Sequence, residues 1–276
     1  MIARAVGSQR RPGPSPERIW CRQDEPGADL VSLGSGVRGR GMACGAKGSW
    51  LRLSAYARGV YLPRHFTAED AAEVDAFVDA VGAADLVTFD GSKPLASLIP
   101  VIWDRSEGEH GRLLGHLALA NAQWQSVPAG AMALAIVHGP QAYVSPSWYP
   151  SKARHGRVVP TWNYVSVHFT GPLTVHRDPE WLRDVVTRLT RRHEGSRPRP
   201  WAVTDAPPEY IDGQLRAIVG VELAIDTVEA KHKLSQNRAA DDQAGALEGL
   251  RGEPGTGPAA IAALMADHMT ERAERA

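Results

Sequence analysis

Polar and apolar residues alternate with a period of two through much of the middle of this chain, as they do in β-strands that have one buried face. Residues 218–225, for example, place Val219, Val221 and Leu223 on the same side. Gly139 and Pro140 are predicted to end the fourth of these runs. The strands predicted in this way are residues 86–89, 94–103, 112–120, 133–137, 143–145, 158–170 and 218–225.

A period near 3.6 residues predicts helices before and after the strands. The first follows Thr67, whose side chain is predicted to form a capping box with Asp70, and it ends at Gly82. A second begins with an acid at its N-cap and Pro179 at the first helical position. Two weaker helical segments are predicted at residues 241–250 and 258–274.

Short strands separated by turns, with helices near both ends, are typical of an antiparallel barrel. The predicted fold class is therefore mainly β with flanking helices. No strand is followed by the glycine fingerprint of dinucleotide-binding folds or by a P-loop. A bound phosphate would need to be held by side chains and by backbone at the strand ends.

Composition narrows the classes of function. The chain has 276 residues, of which 43% are hydrophobic and 22% charged, as in ordinary globular proteins. Its formal net charge of +0 excludes a global attraction to nucleic acid or anionic membranes. Cys21 and Cys44 have no zinc-site spacing, and no signal-like or membrane-spanning apolar run occurs. A cytoplasmic location with reduced thiols and no metal is expected.

The first part of the chain differs in character from the rest. Residues 1–59 are rich in Gly, Arg, Ser and Pro and lack periodicity until Leu51, so they are predicted to be disordered or weakly ordered. Residues 60–250 are predicted to form one domain, and residues 251–276 a C-terminal helical tail.

Candidate chemistry is concentrated in the run of residues 158–168, which alternates as a strand but carries an excess of polar and aromatic side chains. Successive strand residues face opposite sides, so Thr161 and Asn163 share one face while Trp162 and Tyr164 share the other. This arrangement predicts a wall against which a flat polar molecule binds. His168 is expected to be a core or interface histidine.

Three further stretches show a similar excess of polar groups. Residues 145–149 and the following cation Lys152 suit a ligand with an aromatic plane and an anionic group, although a solvated basic loop after an aromatic plug would have the same pattern. Residues 231–238 are basic and are expected to continue the preceding core strand. His116 with Asn121 is a weaker candidate, since such residues are often hydrogen-bonded within a fold.

In their length and order these motifs resemble the PaiB-type FMN-binding negative transcriptional regulators, from about residue 60 to about residue 250. The resemblance covers residues 61–66, 115–116, 121, 124, 139–149, 159–164, 167–168 and 231–238. Members of that family begin at a methionine just before the first motif, where this chain has Val60. The resemblance therefore implies that the native chain starts at residue 60 and that residues 1–59 are a non-native extension.

The resemblance implies an FMN-binding split β-barrel that forms a homodimer, with the flavin at the subunit interface. No catalytic residue and no metal ligand is predicted. The cofactor-binding residues that the resemblance predicts are His116, Asn121, Ser145, Ser147, Trp148, Lys152, Thr161, Trp162, Asn163, Lys233, Ser235, Gln236, Asn237 and Arg238.

A regulatory role follows from the same resemblance: FMN would change the dimer, and the dimer would repress genes on DNA directly or through a partner protein. The sequence itself has no helix-turn-helix pattern. The alternative is an FMN-dependent oxidoreductase acting on a small molecule or haem, because one fold can host several chemistries. A third reading is a barrel that has lost its flavin and serves as an interaction module.

Overall fold

The computed structural model describes residues 61–68 and 70–274, so the predictions for residues 1–59 lie outside the described residues. The strands are β1 Ala83–Phe89, β2 Pro94–Asp104, β3 Arg112–Ala118, β4 Met132–Val144, β5 Thr161–His176, β6 Ile218–Ala224 and β7 Thr227–Lys233. The helices are α1 Ala71–Val81, α2 Pro150–His155, α3 Pro179–Glu194, α4 Pro208–Leu215, α5 Ala240–Gly252 and α6 Thr256–Glu274. Short 3₁₀ helices span Arg64–Phe66, Ala122–Gln125, Pro146–Trp148 and Val203–Asp205.

The strands close into a barrel in which every neighbouring pair is antiparallel. Their order is β4-β1-β2-β3-β6-β5, and pairing of β4 with β5 completes the ring. The seventh strand, β7, adds to β5 outside that ring and forms a sheet edge. The fold is a split barrel with flanking helices, which confirms the predicted fold class.

Strand β5 belongs to both halves of the barrel. Its residues 161–172 pair with β4 and residues 164–170 with β7, whereas residues 173–176 pair with β6. Gly171 lies just before the change of partner, and a Cβ atom there would be 1.7 Å from the carbonyl oxygen of Ala224. Only glycine therefore allows the strand to pass from one sheet to the other at this distance.

The barrel interior is filled by alternating apolar side chains from all of its strands, as the period of two predicts. Val137, Val167, Phe169 and Val219 are fully buried at its centre. Trp103 packs edge-on against Phe169, with ring centroids 4.6 Å apart. This core gives the outer side of each strand a fixed position.

Two predictions about β4 are wrong for one reason. The strand does not end at Gly139 and Pro140 but continues to Val144, so the predicted separate strand at residues 143–145 is the end of β4. A register shift between His138 and Gln141 accommodates the proline, which cannot donate a backbone hydrogen bond.

Three other predictions are corrected. The N-cap of α1 is Asp70, whose carboxylate accepts hydrogen bonds from the backbone of Ala72 and Glu73; Thr67 instead forms an isolated bridge with Lys231. The basic stretch from Lys231 belongs to the separate strand β7, which follows a turn after β6. The loop expected after residue 149 forms α2, and α4 was not predicted.

The last two helices pack on each other and on the barrel. Ile261, Ala262 and Met265 of α6 are buried in one apolar cluster with Leu250 of α5 and Val144 of β4. Both helices thus cover the barrel next to the end of β4. The predicted domain limit at residues 250 and 251 stays a prediction.

Helix α3 is attached to the barrel by charge as well as by apolar contact. Asp104 of β2 lies within 3.0 Å of Arg188 on α3 and 3.6 Å of Arg112 on β3, and it is mostly buried. Hydrogen bonds from Ser106, followed by the charge of Arg188, lower the pKa of Asp104 from 3.8 to about 2. A carboxylate in this state stabilises the folded protein only while it is ionised.

We expect Asp104→Asn to lower the free energy of unfolding by about 2 kcal/mol at neutral pH. The folded-state pKa is depressed, so this contribution is present above the unfolded pKa near 4 and is lost as pH falls towards 2. Chemical denaturation between pH 2 and 7 measures it. Asp184→Asn, which removes the exposed second partner of Arg188, is the control and should change stability little. Equal effects of the two substitutions at pH 7 would contradict the assignment.

Candidate functional site

All of the predicted cofactor-binding residues except His116 and Asn121 lie at one end of the sheet formed by β4, β5 and β7. The ladder explains this, because Val144 at the end of β4 pairs with Thr161 at the start of β5, and Lys233 at the end of β7 pairs with Tyr164. The loops that leave β4 and β7 therefore meet beside the first residues of β5.

Three cations form the charged part of this region, and we call Lys231, Lys233 and Arg238 the cation cluster. The ammonium of Lys233 donates hydrogen bonds to the Thr161 hydroxyl at 2.8 Å and to the Trp162 carbonyl at 2.6 Å. Lys231 is 8% exposed and donates to the Tyr61 carbonyl at 2.7 Å. These acceptors are all neutral oxygens.

The cation cluster is poorly compensated by acids. Among the described residues, no ion pair within 4.0 Å includes Lys231, Lys233 or Arg238. Burial lowers the pKa of Lys233, and the charges of Lys231 and Arg238 lower it further. Half-buried cations that repel one another are stabilised by a bound anion. Lys231 was missed as a site residue, although the period of two along β7 puts it on the same side as Lys233.

Aromatic side chains surround the cations on the outer face of the sheet. The Lys231 ammonium lies 5.4 Å and the Lys233 ammonium 5.9 Å from the ring of Tyr164. Trp162 is 47% exposed and meets Tyr143 edge-on at 6.3 Å. The indole N–H of Trp162 donates to Gln141, which fixes the ring beside the cations. An anion with an attached aromatic system would find both kinds of partner here.

The loop after β4 supplies hydroxyls and a further cation. The Ser145 hydroxyl accepts a hydrogen bond from the backbone of Ser147 at 3.2 Å, and Lys152 donates to the Ser147 hydroxyl at 3.1 Å. Trp148 has a different role, because its ring lies against α5 where a Cβ atom on Gly249 would be 2.1 Å away. The indole of Trp148 is a packing contact between this loop and α5.

Asn163 and Ser235, two of the predicted cofactor-binding residues, bond to each other within the fold. Asn163 is fully buried, and its amide and the Ser235 hydroxyl bond to each other at 3.0 and 3.1 Å, so neither side chain lines an open slot. Ser235 has a left-handed backbone with φ of 67°, and this pairing holds it in that strained state. Gln236 bonds to the backbone of its own turn, whereas Asn237 is exposed. The pair thereby positions the turn that carries Arg238.

His116 and Asn121 lie apart from the cation cluster within one chain. Asn121 caps the Ala122–Gln125 helix and donates to the Ser97 hydroxyl of β2 at 3.0 Å. Strands β1 and β4 separate β2 from β5, a distance of about 14 Å at ordinary strand spacing. His116 is half-buried beside α3; its Nδ1 atom has no partner among the described residues, and burial lowers its pKa.

Between Asn121 and the cation cluster, the outer face of β1, β2, β4 and β5 exposes several large apolar side chains, and we call it the apolar face. Leu98 is 71% exposed, and the other large exposed side chains on β1, β2, β4 and β5 are Phe89, Met132, Tyr143 and Trp162. His138 and Asp85 form an ion pair on the same face at 3.1 Å if the histidine is protonated. Contiguous apolar surface of this kind commonly marks an interface.

Neither a membrane-spanning helix nor a cluster of metal-ligating side chains is found among the described residues. No helix within residues 61–68 and 70–274 is long and apolar enough to cross a bilayer. No group of three or more His, Cys, Asp or Glu residues in the same ranges has an arrangement that could hold a metal ion.

Comparison with solved structures gives neighbours of low similarity. The FAD and heme binding protein from Mycobacterium smegmatis is 18% identical with a TM-score of 0.45, over 65% of this chain and 79% of that chain. The flavocytochrome Anf3 from Azotobacter vinelandii is 15% identical with a TM-score of 0.44, over 62% and 72% of the two chains.

Sequence comparison is more informative. The Bacillus subtilis protease synthase and sporulation protein PAI 2 is 30% identical over 213 residues, which are 77% of this chain and all of that protein. An uncharacterized Aspergillus fumigatus protein is 38% identical over 133 residues, 42% of this chain and 51% of that protein. The family described as "Putative FMN-binding domain" matches residues 60–227. This chain therefore belongs to that FMN-binding family, whose cofactor is FMN, and the PaiB-type resemblance is confirmed.

Proposed function

We propose that this chain binds the phosphate of FMN at the cation cluster and does so at the interface of a homodimer. The observation that carries the proposal is a set of three cations, the buried Lys231 and the half-buried Lys233 and Arg238, whose charge no ion pair of the described residues offsets. A phosphate carries up to two negative charges and accepts several charge-assisted hydrogen bonds. Its charge would oppose the burial and, after it, the repulsion from Lys231 and Arg238 that lower the pKa of Lys233.

The neighbouring groups suit the rest of the cofactor. Trp162 and Tyr164 offer aromatic surface for the flavin ring, and the Thr161 hydroxyl and the loop with Ser145, Ser147 and Lys152 offer polar contacts. FMN supplies one- or two-electron transfer, and the protein supplies binding and orientation. Asn163 and Ser235 contribute by holding the Arg238 turn in place.

The proposal of a homodimer is supported by the separation of predicted cofactor-binding residues within one chain. Asn121 is predicted to bind the cofactor but lies beside β2, which β1 and β4 separate from β5. The apolar face lies between Asn121 and the cation cluster and exposes Leu98, Phe89 and Met132. His116 on β3 faces α3 instead. In a two-fold dimer the apolar face of one chain packs on the same face of the other chain. Residues from opposite ends of the two faces then come together. A second copy of the chain is the occupant that would complete one site from both groups.

We expect Lys233→Met to weaken FMN binding about tenfold to a hundredfold, because it removes one charge-assisted hydrogen bond to phosphate. Titration of FMN fluorescence measures the change. Lys93→Met, in the exposed turn before β2, is the matched control and should bind FMN as the unmodified chain does. Unaltered affinity in the Lys233→Met protein would place the phosphate elsewhere.

We expect Leu98→Asp to convert the dimer into a monomer, because a carboxylate would be desolvated on the apolar face. Sedimentation velocity measures the state of association, and FMN affinity should fall with it. Tyr210→Asp changes a residue that is 57% exposed on α4, away from the apolar face, and should leave the association unchanged. A Leu98→Asp protein that still dimerises would show that the chains meet through another surface.

For the biological role we propose a regulator of transcription, supported by the resemblance to the PaiB-type regulators and by the match to the PAI 2 protein over that protein's whole length. Net charge near zero predicts weak non-specific attraction to DNA. Retention must therefore depend on sequence or on a partner protein.

We expect the FMN-loaded dimer to retard DNA from upstream of its own coding sequence more than a coding fragment of equal length, because any retention must come from specific contacts. Electrophoresis at low and moderate salt compares the two fragments. Equal migration at both would count against direct repression. Steady oxidation of a nicotinamide cofactor by the same preparation would favour an oxidoreductase.

A further inference from the structure

A second concave site lies between α3 and the segment of residues 200–204. It consists of two adjoining cavities of about 270 and 380 Å³, which share Thr190, Glu194 and Trp201 in their walls. Volumes of this size are in the range of small-molecule sites. The cation cluster contributes no residue to either cavity.

The walls of this cleft are mostly apolar, with one large aromatic surface. Leu189 and Val203 are buried beneath it, while Trp201 is 45% exposed. The backbone N–H of Trp201 donates to Glu194 of α3 at 3.0 Å, which fixes the residue beside the helix. An exposed indole held in this way offers a flat surface on which a planar ring can stack.

The charges around the cleft favour an anion. Glu194 is already bonded to the Trp201 backbone and to Arg197 at 3.0 Å, and Arg183 is paired with Asp212. Arg191 lines the cleft and makes no side-chain hydrogen bond or ion pair among the described residues. Its guanidinium presents the planar fork that matches a carboxylate.

His116, which lines the smaller of the two cavities, has a polar atom without a hydrogen-bond partner among the described residues. The Nδ1 atom of His116 is buried without a partner in the described part of the chain, and burial lowers the pKa of the imidazole. A neutral imidazole there adds a single hydrogen-bonding position without a competing charge. Together with Arg191, it gives the apolar cleft two polar groups at separate points.

We propose that this cleft binds a small aromatic carboxylate, with the ring against Trp201 and the carboxylate on Arg191. The ligand is small because the larger cavity has only about 380 Å³. It is a carboxylate because one unpaired guanidinium can neutralise one negative charge, whereas the cation cluster has the charge for a phosphate. The inference does not depend on where FMN binds.

The test is calorimetric titration of the full chain with benzoate and indole-3-carboxylate, and with benzamide as the neutral isostere. We expect saturable binding of the acids and about tenfold weaker binding of benzamide, the effect of one charge-assisted hydrogen bond. Arg191→Met should abolish the preference for the acids, and Trp201→Leu should weaken the acids and benzamide alike. Arg251→Met on α5, whose guanidinium is exposed beside Glu248, should bind as the unmodified chain does.

Both changed side chains are substantially exposed, so the variants should fold, and thermal melting checks this. Absence of saturable binding, or unchanged affinity in both Arg191→Met and Trp201→Leu, would overturn the proposal. Repeating the titration on protein saturated with FMN separates the two sites: competitive displacement of FMN by benzoate would mean that the cleft belongs to the flavin site. Unaltered FMN binding by Lys233→Met would affect only the proposed function.

Discussion

The passage of β5 from one sheet of the barrel to the other is the constraint on which the rest of the structure depends. The close approach of Gly171 to the Ala224 carbonyl lets residues 173–176 pair with β6 while residues 161–172 pair with β4 and residues 164–170 with β7. Any side chain at position 171 would push these ladders apart. The direction of the first half of β5, and with it the position of Thr161 and Trp162 beside Lys233, follows from that crossing.

The cation cluster lowers the stability of the folded barrel through charge repulsion, whereas the apolar interior of the same sheet raises it. Val165, Val167 and Phe169 on the inner side of β5 are buried against the core, whereas Lys231 and Lys233 lie on the outer side of β7 at a cost in electrostatic energy. Apolar burial in the same strands offsets that cost. Binding of an anion then stabilises the folded state by an amount that grows with the logarithm of the anion concentration relative to its dissociation constant.

The sequence was sufficient for most of the fold, because periods of two and 3.6 residues report which face of an element is buried. It failed at β4, where a bulge absorbs Gly139 and Pro140, since a proline normally ends a central strand. It also could not show that Asn163 pairs with Ser235, 72 residues away, because a polar residue looks the same in a sequence whether its partner is a ligand or another side chain. Motif order located the site region, but only the ladder explains why the loops meet there.

The isolated bridge between Thr67 and Lys231 has a consequence for the behaviour of the protein in concentrated solution. Strand β7 ends the sheet, and an uncovered strand of this kind can recruit an extended segment from another molecule. Thr67 pairs with Lys231, and the backbone N–H of Ala68 donates to the Ala230 carbonyl. These contacts cover the middle of the open edge of β7. The short segment ahead of α1 therefore hinders edge-to-edge strand pairing between molecules.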